Sequence, residues 1–63
     1  MNHPFQVGDL VRSRINSTNL ALVTNTHKIS TGYYVDVLWL ASGKEIEFYA
    51  VRRFKLVSRG IEQ

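Results

Sequence analysis

The 63-residue sequence contains no cysteine. Neither a disulfide framework nor a thiolate metal site is open to it, so folding rests on apolar packing or on a partner. Long apolar runs are missing too: the longest, Val37 to Ala41, is far too short to span a bilayer, which argues against a membrane protein. Met1 to Gln6 carry neither an apolar stretch nor a cleavage-site pattern, which predicts a protein made as seen and placed in the cytoplasm, or in the host cytoplasm for a viral protein. No internal repeat, low-complexity tract or linker divides the chain, so a single domain over 1–63 is expected, with an ordered core at about 5–57. A chain this short buries only about 60% of its unfolded surface, so that core is thin.

Catalytic equipment is equally sparse. His3 and His27 are the only histidines; His3 lies in a start without strand pattern, and His27 sits near a strand end, where a partly exposed structural histidine is the ordinary reading. Glu45 and Glu47 are two apart on one strand and share its outer face, as cross-strand solvated charges do. No phosphate-cradling glycine loop and no metal-ligand spacing is present. The expectation is therefore a protein that is not an enzyme and that carries no cofactor and no metal.

What the chain does have is a period of two. Gly8-Asp9 makes a turn, after which Val11, Ser13 and Ile15 alternate with Leu10, Arg12 and Arg14 as a half-buried first strand. Asn16 to Asn19 reads as a loop. A second strand is predicted from about Leu20 to His27, then a break at Ser30-Thr31-Gly32. Tyr33 to Leu40 is the strongest strand signal, with Val35, Val37 and Trp39 alternating against Tyr34, Asp36 and Leu38. A two-residue turn at Ser42-Gly43 would set Trp39 against Ile46, Leu38 against Glu47, Val37 against Phe48 and Asp36 against Tyr49, so that each apolar-face residue meets another. Val51-Arg52-Arg53 reads as a single helical turn before a short last strand around Phe54 and Leu56. The predicted inward set is Val11, Val23, Val35, Val37, Ile46, Phe48, Phe54 and Leu56, with Trp39 largely in the core, while Tyr34 and Tyr49 fall on the outer face.

Five short strands in about fifty residues suit a small barrel, whose closure removes exposed edges. Val7-Gly8-Asp9-Leu10-Val11, Ala21-Leu22-Val23-Thr24, and Tyr34 to Trp39 followed by Ser42-Gly43-Lys44 resemble SH3-like barrels of the KOW and Tudor type, including short stand-alone versions that bacteriophages encode. The resemblance spans roughly Phe5 to Val57. It implies an all-β, five-stranded SH3-like barrel with a short helical turn before the last strand, and it implies that the last strand lies beside the first.

Charge is unevenly spread. Arg12, Arg14 and Lys28 against Asp9 give +2 up to Gly32; Lys44 against Asp36, Glu45 and Glu47 gives −2 from Tyr33 to Ala50; Arg52, Arg53, Lys55 and Arg59 against Glu62 give +3 thereafter. With the first and last strands adjacent, Arg12, Arg14, Arg53 and Lys55 would form one basic face able to contact phosphates, with Tyr34 or Tyr49 available to stack on bases. A nucleic-acid-associated binding module is the leading expectation. The alternative is a protein–protein adaptor that uses the 33–50 hairpin through Tyr34, Leu38, Glu47 and Tyr49, and a third reading is a self-associating subunit that buries Leu38 and Leu40.

Overall fold

A computed structural model of the protein describes residues 3–16 and 18–60. Ser17, part of the predicted first loop, and Met1, Asn2 and residues 61–63, Glu62 included, lie outside the described residues. Among the described residues five antiparallel strands form one sheet, β1 (Leu10–Ser13), β2 (Leu20–Ile29), β3 (Gly32–Trp39), β4 (Glu45–Ala50) and β5 (Phe54–Ser58), with a 3-10 turn, η1 (Val51–Arg53), before the last strand. The strand order is β4-β3-β2-β1-β5, so β4 and β5 are the two edges of a sheet that does not close. No helix among the described residues is long and apolar enough to cross a membrane.

Alternation along the strands puts Val11, Ala21, Val23, Val35, Val37 and Phe54 on one side, where they are buried together with Phe5 from the segment ahead of β1. Each of the valines and phenylalanines contributes about 1.5–3 kcal/mol on full burial. Trp39, Tyr49, Val51 and Leu56 pack half-buried around this core. Ile15, expected to continue the first strand, is 87% exposed because β1 ends at Ser13. Ser13 Oγ accepts the backbone N–H groups of Ile15 and Asn16 and turns the chain out of the sheet.

The β3–β4 hairpin departs from the predicted register. Its loop has four residues, Leu40 to Gly43: the Gly43 N–H donates to the Trp39 carbonyl at 2.8 Å and the Trp39 N–H donates to the Lys44 carbonyl at 2.8 Å. Gly43 sits at φ 74, which favours glycine there. Leu38 therefore faces Glu45 and Val37 faces Ile46, two positions from the predicted partners. Farther from the turn Val35 faces Tyr49, a shift of only one position, because β4 holds an extra residue between Ile46 and Tyr49. The extra residue reverses the inside–outside order predicted for the end of β4. Phe48, expected inside, points outward at 50% exposure, and Tyr49, expected outside, packs on the core. Ile46 shares the side of Val37, but on an edge strand it stays 37% exposed and is no part of the core.

Asp36 organises this distortion. The β2–β3 pairing also shifts by one, at Thr24, so both neighbours of β3 carry an extra residue opposite the same aspartate. Its Oδ1 accepts the Phe48 N–H at 3.0 Å and hydrogen-bonds His27 Nε2 at 2.8 Å, while its carbonyl accepts the Thr24 hydroxyl at 3.2 Å. The donor that the β4 bulge withdraws from the ladder is thus satisfied by a side chain. Phe48 adopts φ 56, a left-handed conformation unusual for a bulky residue, and its ring stacks on His27 at 4.2 Å and on Tyr34 at 5.6 Å.

A second buried carboxylate ties the two ends of the described chain together. Asp9 is 0% exposed; Oδ2 accepts the Gln6 N–H at 2.9 Å and Arg59 Nη1 at 3.1 Å, and Oδ1 accepts the Gly60 N–H at 2.6 Å. His3, expected outside the ordered core, donates from Nε2 to the carbonyls of His27 and Tyr34 at 3.0 Å each and accepts the Phe5 N–H at Nδ1. These roles define its tautomer as Nε2–H. No buried side-chain polar atom among the described residues lacks a partner.

Candidate nucleic-acid interface

β1 pairs with β5 through Val11 with Leu56, Arg12 with Lys55 and Ser13 with Phe54, and the Arg14 N–H donates to the Arg53 carbonyl at 3.0 Å. The first and last strands are neighbours, as the resemblance implies. Their basic residues nevertheless divide into two groups. Arg12 and Lys55 stand opposite one another, each next in sequence to a buried residue (Val11, Phe54) and so on the sheet's outer side. Arg14 and Arg53 lie beyond the end of the β1–β5 ladder, where they border a hollow of about 260 Å³ with Ser13, Ile15, Trp39, Tyr49, Arg52 and Phe54.

The floor of that hollow is aromatic. Trp39, Tyr49 and Phe54 pack mutually, with ring centroids 6.4, 5.8 and 5.2 Å apart and the Tyr49 ring edge-on to both others. The rim is cationic. In η1 one residue of the turn, Val51, packs on the core, which leaves Arg52 and Arg53 exposed side by side. The Arg53 guanidinium lies 5.5 Å from the centre of the Tyr49 ring and covers it. Among the described residues the ion pairs are His27 with Asp36 and Arg59 with Asp9, so Arg14, Arg52 and Arg53 bring three uncompensated charges to the hollow.

Sequence reasoning missed Arg52 and the role of the Trp39 and Phe54 rings. A one-turn helix with a single apolar residue must turn its other two outward, and that signal was available in Val51-Arg52-Arg53. Tyr34 lies away from this hollow. Its ring stacks on Phe48, its hydroxyl is 3.0 Å from Thr31 Oγ1, and it borders a separate hollow with Tyr33 and Arg52. Tyr34 and Tyr49 therefore do not form one outward pair, and of the residues expected for an adaptor surface only Tyr34, Leu38 and the exposed Glu47 remain outside the core packing. No group of three or more His, Asp or Glu side chains among the described residues could hold a metal.

The chain matches no protein-family model, no curated protein and no solved structure.

Proposed function

We propose that the protein is a non-enzymatic, nucleic-acid-associated binding module of SH3-like type, and that its binding site is the arginine-rimmed aromatic hollow. The observation that carries this reading is that Arg14, Arg52 and Arg53, none of them in an ion pair among the described residues, line one concavity with the half-buried rings of Trp39 and Tyr49. Phosphates are held by such charges without sequence preference, and bases are held by aromatic faces. The strand order, with β1 between β2 and β5, supports the SH3-like part of the reading.

The test is binding of a fluorescent oligonucleotide at low salt, where the electrostatic term is largest. Reversing charge at Arg14 and Arg52 together should abolish binding, whereas reversing Arg12 and Lys55, on the other side of β1 and β5, should weaken it by less than tenfold. Absence of binding by the parent protein at low salt would refute the proposal. Equal loss from both double variants would place the site on the outer face instead.

A protein partner is the second reading, favoured by β4. That edge strand is exposed from Glu45 to Phe48 and presents the apolar side chains of Ile46 and Phe48 to solvent, where a partner could cover them. Under this reading Phe48→Ala abolishes partner capture and the arginine variants leave it intact.

A further inference from the structure

Trp39 belongs to two hollows. On one side it is part of the floor of the arginine-rimmed site; it also lines a second hollow of about 270 Å³ with Asn19, Leu20, Ala41 and Ser42, and the two share no other residue. The second hollow carries polar side chains but no charge. Each hollow is smaller than the roughly 300–1,000 Å³ of pockets that engulf a drug-sized ligand, and suits a single planar ring system. Among the described residues, the cations that line the pair of hollows lie around the first.

We infer that the site takes unpaired, single-stranded nucleic acid, with bases turned down into the hollows on either side of Trp39 and the backbone held at Arg14, Arg52 and Arg53. This rests on the nucleic-acid reading above and narrows it. A duplex hides its base faces in the stack, so it could engage the arginines but not the aromatic floor; a single strand engages both. Three phosphate contacts give a salt dependence with a slope of about −2 in log K against log salt for a single strand. An acidic peptide would meet the same cations, but it has no succession of planar rings to fill two apolar-floored hollows spaced along one tryptophan.

The experiment compares four probes at fixed low salt: an eight-nucleotide oligothymidylate, an abasic strand of the same length and phosphate number, an eight-base-pair duplex, and poly-glutamate. Trp39 is the only tryptophan and reports directly on the shared wall. Stacking contributes about 1–3 kcal/mol per base, so the thymidylate should bind about 5- to 150-fold more tightly than the abasic strand for each base seated, and it alone should change Trp39 emission. Arg52→Glu, at an exposed position, should weaken thymidylate and abasic strands by the same factor. Equal affinity of thymidylate and abasic strands, or tighter binding of the duplex, would overturn this inference and leave the wider nucleic-acid reading standing. No binding of any probe would overturn both, and binding of poly-glutamate alone would assign the hollow to an acidic peptide.

Discussion

Asp9→Asn is the sharpest test of what holds this thin sheet together. The side chain is completely buried, and its two oxygens accept three donors, the N–H groups of Gln6 and Gly60 and the Arg59 guanidinium. Asparagine keeps the shape but replaces one acceptor oxygen by an amide donor, so one of the two backbone N–H groups is left facing another donor. A hydrogen bond to a charged group contributes about 1.5–3 kcal/mol, and a buried donor left unsatisfied costs about 1–3 kcal/mol. The Arg59 side chain is 53% exposed, so its ion pair adds little to that, in the range of about 0–1 kcal/mol found at surfaces. The expected loss is ~2–4 kcal/mol, against a total stability for 63 residues of roughly 3–9 kcal/mol. Urea unfolding followed by Trp39 fluorescence should show the midpoint falling by about a fifth or more, while Arg59→Ala moves it much less. An Asp9→Asn protein within about 0.5 kcal/mol of the parent would refute the reasoning. Equal losses from Asp9→Asn and Arg59→Ala would shift the weight from the backbone donors to the ion pair.

Gly60→Ala probes the same junction from the other side. An added Cβ would sit 2.6 Å from the Gly8 carbonyl carbon and 2.9 Å from its oxygen, and because those are backbone atoms the tail must move away from Asp9. A loss of ~1–3 kcal/mol is expected, and combining it with Asp9→Asn should cost clearly less than the sum; additive losses in urea would show the two sites to be independent. In the core, Val37→Ala should cost about 2 kcal/mol. Phe48→Gly, by contrast, gives up two ring contacts of about 0.5–1.5 kcal/mol each but relieves a left-handed conformation that costs a non-glycine residue about 1–2 kcal/mol, so its net effect should lie between a gain of about 1 and a loss of about 2 kcal/mol. A Phe48→Gly protein less stable than Val37→Ala would return Phe48 to the core.

The strands themselves were legible because the every-other-residue spacing of buried side chains, Ala21 with Val23 and Val35 with Val37, marks strands whatever their register. The pairing of β3 with β4 was not, although the two-residue turn gave an attractive match of apolar with apolar. That match compared whole strands as if they were regular, and an extra residue in β4 reverses the faces midway, which no alternation count detects. Asp36 was the available clue, since an acidic residue between two buried valines in the middle of the best strand needs donors that a regular ladder does not supply. The candidate site was half legible. Charge and the adjacency of first and last strands point to Arg14 and Arg53, but they point equally to Arg12 and Lys55, because strand adjacency says nothing about which side of a sheet a side chain occupies. Asp9 was read only as part of a turn; its burial depends on Gly60, fifty-one positions away, and no local pattern announces that.

The two irregularities facing Asp36 also bear on the order in which the protein can assemble. A hairpin of β3 and β4 alone could form the ladder near its four-residue loop, but beyond Val37 the final alignment requires Phe48 in its left-handed conformation, with its N–H on Asp36 and its ring against His27 of β2. His27 in turn reaches the same carboxylate oxygen only when β2 has taken up its own extra residue at Thr24. Both offsets converge on one carboxylate, so the alignment of the edge strand depends on three strands together, and with it the placement of Tyr49 in the arginine-rimmed hollow.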